Sequence, residues 1–104
     1  MYIVVYCYNG DIQRLPDDHE EYCTAFKSMV EDMLSTVKED ENINEEDANR
    51  VEQELIRFIK DGQDYCYTEV KSYGITHASI QLSKDSGSVF CFDDYHCYWK
   101  VMRV

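Results

Sequence analysis

The spacing of hydrophobic and polar positions changes twice along the chain, and each change marks a different kind of element. Residues 1–8, with the sequence MYIVVYCY, are β-branched and aromatic at both alternating sets of positions. Such a run predicts a strand that is covered at least in part on both faces. Asn9-Gly10 follows with residues typical of a turn, so the first strand is expected to end at residue 8.

A helical period begins after Pro16. Asp17 and Glu20 have the spacing of a capping box, which predicts a helix over residues 17–38. Its apolar side chains recur at intervals of three and four residues, as one face of a helix requires. These side chains are Tyr22, Phe26, Met29, Val30, Met33, Leu34 and Val37.

A second helix is predicted over residues 44–61. Asn44 offers an N-cap, and Gly62 stands where a helix C-cap favours a residue with left-handed backbone. The apolar stripe between the two caps consists of Ala48, Val51, Leu55, Phe58 and Ile59. Together with the short acidic loop at residues 39–43, the two stripes predict a helical hairpin with one apolar side.

From residue 64 to residue 103 the hydrophobic period is two, which predicts an antiparallel meander. Asp85-Ser86-Gly87 fits a three-residue turn with Gly87 in the left-handed position. A second turn is expected at Asp93-Asp94. The registers of these two turns place eight residues on one core face: Ala78, Ile80, Leu82, Phe90, Phe92, Tyr95, Trp99 and Val101.

The hairpin at Tyr73-Gly74 leaves two registers open. A two-residue loop directs Tyr65 and Tyr67 to the core face, whereas a three-residue loop directs the alternate set Cys66, Thr68 and Val70. In either register the element order is β-α-α-β-β-β-β. The expected fold class is α+β, a mostly antiparallel sheet with the helical hairpin packed on one face. Residues 1–104 have the length of a single domain.

Composition and cysteine content indicate in which compartment the protein is expected. The chain has 104 residues, 44% of them hydrophobic, which is typical of a packed globule. Its five cysteines form no C-x-x-C pair and lie within apolar or alternating runs, so we expect reduced thiols. The longest apolar run, residues 2–8, is far shorter than the ~20 residues that span a membrane. No signal-peptide pattern is recognisable. We expect a cytoplasmic protein without a membrane segment.

The net charge of −11 is concentrated in the predicted helical hairpin and its flanks. Residues 11–61 contain sixteen acids and six bases, whereas the rest of the chain contains five acids and four bases. This distribution predicts an acidic face that binds a basic partner protein. Its candidate residues are Glu20, Glu31, Asp32, Glu39, Asp40, Glu41, Glu45, Glu46, Asp47, Glu52 and Glu54.

Two explanations fit the acidic face. It can be a solvated surface that keeps the protein soluble. It can also attract a basic surface, because carboxylates on successive helical turns lie ~5–6 Å apart and loosely imitate backbone phosphates. In charge and size alone, the chain resembles small acidic phage inhibitors of host nucleases. That resemblance implies a nucleic-acid mimic acting in host-defence evasion, whose partner handles nucleic acid.

Several classes of function are disfavoured. Direct nucleic-acid binding needs a basic stripe, which is absent. The four glycines all fall at predicted element ends, so none builds a phosphate-binding loop, and no cofactor is predicted. We therefore favour a non-enzymatic protein-protein interaction domain, an inhibitor that uses its acidic face or its open sheet. A homodimer through an uncovered sheet face or edge strand is a further possibility.

One segment begins like a calcium-binding loop. Asp40, Asn42 and Asn44 alternate as the first ligands of an EF-hand do. Glu45 replaces the glycine of the turn, and Val51 stands where the bidentate glutamate belongs. No metal ligands are therefore predicted there.

An alternative site lies on the predicted sheet. Cys91 and His96 are expected as cross-strand neighbours on the face opposite the aromatic core, with Tyr98, Gln81 and His77 nearby. A thiol beside an imidazole is typical of a nucleophile with its base, or of two metal ligands. The competing hypothesis is therefore a small enzyme or metal-binding domain that uses this face. An ordinary half-exposed sheet face with incidental polar residues accounts for the same pattern.

Overall fold

The computed structural model describes residues 1–92 and 94–104 as one antiparallel sheet with two helices packed on one of its faces. In chain order the elements are β1 (Tyr2–Tyr8), β2 (Asp11–Arg14), α1 (Tyr22–Glu39), α2 (Glu45–Asp61), β3 (Tyr65–Ser72), β4 (Ile75–Ser83), β5 (Ser86–Cys91) and β6 (His96–Arg103). The strand order across the sheet is β2-β1-β6-β5-β4-β3. The predicted fold class and the order of the predicted elements are confirmed, and β2 is an addition.

The added strand explains why the first helix begins later than predicted. Asn9 and Gly10 have positive φ angles of 48° and 89° and form a two-residue hairpin loop that returns β2 along β1. The chain then continues beside β1, where Tyr2 and His19 exchange backbone hydrogen bonds. Because this segment pairs with a strand edge, the capping box at Asp17 does not form. The helix begins at Tyr22.

The second helix ends where predicted, at Asp61, and begins at Glu45, one residue after the predicted start, because Asn44 is its N-cap. The Asn44 side chain accepts a hydrogen bond from the backbone N–H of Asp47 at 2.8 Å. Gly62 has the left-handed conformation, with a φ of 64°. Ile59 is the exception in the predicted stripe, because its side chain is exposed. No helix among the described residues is long and apolar enough to cross a membrane.

The β3–β4 hairpin combines features of both predicted registers. Its loop is the two-residue Tyr73-Gly74, yet Thr68 and Val70 face the core. A β-bulge reconciles the two observations: His77 is an extra residue, unpaired with β3, between the pairs formed by Thr76 and Ala78. One inserted residue reverses the faces of all residues beyond it.

The predicted β4–β5 register is wrong. Leu82 pairs with Gly87 rather than with Phe90, a displacement by an odd number of residues. Val89 and Cys91 therefore face the helices, whereas Phe90 and Phe92 lie on the opposite face. The loop consists of residues 84–85, and the second predicted turn, Asp93-Asp94, lies partly outside the described residues.

Gly87 explains this error. It is not a turn residue but a buried strand residue, beneath the side chain of Met33 on α1. A Cβ atom on Gly87 would lie 2.7 Å from Met33 Cε and even closer to its sulfur. The glycine therefore makes room for a helix, a role that local sequence does not reveal.

Candidate functional site

The eleven acidic residues that were predicted to bind a partner differ in whether their carboxylates interact with other side chains of the protein. Six of these eleven carboxylates are exposed and have no hydrogen bond or ion pair with another side chain of the described residues. These are Glu20, Glu31, Glu39, Glu41, Glu45 and Glu46. The other five are engaged internally, as Asp32 with Trp99, Glu52 with Lys38, Asp47 and Glu54 with Arg50, and Asp40 with a buried cluster.

Four of the unengaged acids surround the link between the helices, and we refer to Glu39, Glu41, Glu45 and Glu46 as the acidic connection. Glu45 and Glu46 occupy the first turn of α2, where negative charge stabilises a helix. Glu39 is the last residue of α1, where negative charge is unfavourable. Helix stability therefore accounts for only part of the acidic connection.

Asp40 does not belong to the exposed acidic face, because its side chain is only 1% exposed. Its Oδ1 accepts a hydrogen bond from the Asn42 N–H at 2.8 Å. Its Oδ2 accepts one from the Tyr95 hydroxyl at 2.9 Å and one from the Cys91 thiol at 3.2 Å. Asp40 thereby attaches the end of α1 to the sheet. This inward orientation and the capping role of Asn44 are also incompatible with a calcium loop.

Burial acts on the pKa values of these groups in different directions. Desolvation alone would raise the pKa of Asp40, but hydrogen bonds from Asn42, Cys91 and Tyr95 outweigh it and hold that pKa below its ordinary value. Desolvation raises the pKa of Cys91 to about 12 and raises that of Tyr95 as well. At neutral pH the carboxylate is therefore charged, and the thiol and phenol are neutral donors.

His77 completes this group, which we call the Asp40 cluster: Asp40, His77, Cys91 and Tyr95. The His77 Nε2 atom lies 3.6 Å from Asp40 Oδ2. It is buried and has no hydrogen-bond partner among the described residues. The bulge in β4 brings this ring to the cluster. Sequence patterning placed His77 near Cys91, but on the open face of the sheet and without Asp40, because alternation along β4 assumes a regular ladder.

The alternative site predicted from sequence is not assembled. Cys91 faces the helices, whereas His96 and Tyr98 lie on the opposite face of the sheet. His96 is opposite Phe90, and their rings stack with centroids 3.8 Å apart. The predicted Cys91–His96 pair is therefore wrong, because the β5–β6 register is displaced by one residue from the predicted one and places the two side chains on opposite faces.

The face of the sheet opposite the helices carries a shallow groove of about 440 Å³. It is lined by aliphatic and aromatic side chains, among them Val5, Ile12, Tyr65 and Tyr98, and by small side chains such as Ser88. Neither α1 nor α2 covers this face. Self-association through it stays a prediction.

Comparison of the chain with protein-family models, with curated proteins and with solved structures finds no match. The fold and its residues define an α+β domain in which an exposed acidic connection lies beside a buried polar cluster. Functional inference rests on these two features.

Proposed function

We propose that the protein is a non-enzymatic interaction domain whose acidic helical layer binds a basic surface of a partner protein. The observation that carries the proposal is the acidic connection, four exposed carboxylates that no cation of the described residues neutralises. Because like charges gathered in a short segment repel one another, their proximity is unfavourable in the free protein. A basic partner would relieve this repulsion.

The chemistry of the partner follows from the charge pattern. Carboxylates on an exposed helical layer match the lysine and arginine side chains that contact nucleic-acid phosphates. The proposed partner is therefore a nucleic-acid-handling protein, and the proposed effect is inhibition by occupation of its nucleic-acid channel. The five free cysteines suit action in the reducing cytoplasm.

A fourfold substitution tests this proposal. Changing all four acids of the acidic connection to glutamine should slow association with the partner by about 10- to 10³-fold, the range in which complementary charge accelerates encounter. The partner is first recovered from a lysate of the cells that contain the protein, at low salt, and released by a salt step. Association rates are then measured by surface plasmon resonance at several ionic strengths.

The matched control changes the same amount of charge elsewhere. Asp11, Asp17, Asp61 and Asp85 are exposed, and their conversion to asparagine should leave the association rate within about threefold of wild type, because screening confines charge effects to ~8 Å at physiological salt. Equal losses in both variants would show that only net charge matters. Binding that persists unchanged at high salt would contradict the acidic contact. Inhibition should also decrease as competing nucleic acid is added.

A further inference from the structure

Three elements bring a carboxylate, an imidazole and a thiol together beside the acidic connection. Asp40 directly follows α1 as its C-cap, His77 is the bulge residue of β4, and Cys91 ends β5. Their potential ligand atoms all lie within 4.8 Å of one another. Cys91 Sγ lies 3.2 Å and His77 Nε2 lies 3.6 Å from Asp40 Oδ2.

These separations suit a tetrahedral zinc ion. Zinc bonds of about 2.0–2.1 Å to nitrogen or oxygen and about 2.3 Å to sulfur place neighbouring ligand atoms roughly 3.3–3.7 Å apart. The two distances to Asp40 Oδ2 fall in or close to that range, and the third pair of ligand atoms lies within 4.8 Å. We propose that Asp40, His77 and Cys91 are the three protein ligands of a zinc site.

The unpartnered His77 nitrogen points to the same conclusion independently. A buried polar atom without a hydrogen bond is destabilising, because nothing replaces the water that it has lost. Its separation of 3.6 Å from Asp40 Oδ2 is too long for a hydrogen bond. A bulge, which interrupts the strand ladder, is what places the ring there, and bulges commonly direct side chains to functional sites. Coordination would satisfy this nitrogen.

The elements of the three ligand atoms indicate which metal ion fits the site. Calcium and magnesium require oxygen ligands, whereas one sulfur, one nitrogen and one oxygen suit zinc. On binding, the Cys91 thiol releases its proton to solvent and the thiolate bonds to the metal. Tyr95 neighbours the site, since its hydroxyl donates a hydrogen bond to Asp40 Oδ2 at 2.9 Å. A surface groove of about 250 Å³, lined in part by Asp40 and Tyr95, adjoins the site.

Zinc would give the site a structural role that is independent of the proposed partner binding. It would join the end of α1 to β4 and β5 through three bonds. In the metal-free protein, Asp40 accepts two side-chain hydrogen bonds there, one from Cys91 of β5 and one from Tyr95, which precedes β6. The acidic connection, which flanks Asp40 on both sides, would be held in place by the ion.

Spectroscopy of the metal-loaded protein provides the direct test. The full chain is treated with a chelator, kept reduced with a phosphine, and titrated with Co²⁺ as a zinc substitute and then with Zn²⁺. We expect one equivalent to bind, with a sulfur-to-cobalt charge-transfer band and the intense visible absorption of tetrahedral cobalt. X-ray absorption of the zinc-loaded protein should show one sulfur and the remainder nitrogen or oxygen.

Ligand variants and matched controls locate the binding. Cys91→Ser and His77→Gln should each weaken zinc affinity by at least about 100-fold, since residues that merely orient ligands contribute about 10- to 100-fold. Cys23→Ser, at an exposed thiol 3.4 Å from the Glu21 carboxylate, should leave affinity within about threefold, as should His96→Gln on the open face. Circular dichroism monitors folding of each variant.

The proposal is overturned if wild-type protein shows no sulfur-to-cobalt band, or if X-ray absorption shows no sulfur or more than one. It is also overturned if Cys91→Ser folds and binds zinc as tightly as wild type, or if Cys23→Ser removes binding. Should the two ligand variants fail to fold, a wild-type protein without one sulfur ligand, or a Cys23→Ser variant without zinc binding, still overturns the proposal.

Discussion

Replacing Asp40 with alanine is expected to lower the free energy of unfolding by about 2–5 kcal/mol in metal-free protein. The substitution leaves the Tyr95 hydroxyl, the Cys91 thiol and the Asn42 N–H without their acceptor. Each buried polar group left unsatisfied costs about 1–3 kcal/mol, although the thiol is a weak donor. A domain of this size has a total stability of about 5–15 kcal/mol, so the loss is a large fraction.

Urea unfolding in the presence of a chelator measures this effect without a contribution from metal. Glu39→Ala is the matched control, because it removes the neighbouring but exposed acid and should change stability by less than about 0.5 kcal/mol. Asp40→Asn retains the side-chain shape and one oxygen acceptor, so it should fall between the two. An Asp40→Ala variant as stable as Glu39→Ala would mean that the cluster does not hold α1 to the sheet.

Gly87→Ala is expected to destabilise the protein by about 1–3 kcal/mol, the usual cost of overpacking a filled core. The new methyl group would overlap the end of the Met33 side chain, which is fully buried, and would also approach the Gln81 carbonyl oxygen to 3.3 Å. Met33→Ala alone should cost about 2–5 kcal/mol, because it leaves a cavity. In the double variant the added methyl fills part of that cavity.

A double-mutant cycle separates this contact from a general effect of the substitutions. The Gly87→Ala and Met33→Ala pair should be less destabilised than the sum of its single variants, by about 0.5–3 kcal/mol. Gly74→Ala combined with Met33→Ala is the control and should be additive, because nothing lies within 4 Å of a Cβ at Gly74. Additivity at Gly87 would contradict the packing of Met33 on this glycine.

Asp40 links the two functional proposals without making either depend on the other. Glu39 and Glu41 are exposed, while Asp40 between them is buried. One short segment thus carries both the surface that is proposed to attract basic groups and the anchor that attaches this surface to the sheet. A protein that binds zinc but no basic partner would contradict the partner proposal alone. A protein that binds the partner but no zinc would contradict the zinc proposal alone.

Local chemistry was sufficient to predict the second helix. Its N-cap Asn44 and its C-cap Gly62 act through hydrogen bonds and backbone angles within a few residues. The same kind of signal at Asp17 was misleading, since the segment that follows it pairs with β1 instead. A cap is formed only where no distant strand edge binds the same backbone groups.

In the sheet, too, local patterns predicted some features correctly and others wrongly. Alternation correctly assigned Ala78, Ile80 and Leu82 to the core, because these residues follow one another on a single strand. It misplaced Phe90 and Phe92, because the pairing of β5 depends on Gly87, whose role is set by a helix more than fifty residues earlier in the chain. The bulge at His77 was equally invisible in the local pattern.

The candidate site therefore divides into a part that follows from composition and a part that follows from folding. The sequence by itself determined the fold class, the second helix, the approximate extent of the meander and the concentration of charge in residues 11–61, because these depend on local propensity and on residue counts. The tertiary structure alone decided which acids remain unengaged and that Asp40 is buried beside His77 and Cys91. Contacts between distant segments select one strand register, and a displacement by an odd number of residues reverses every side chain.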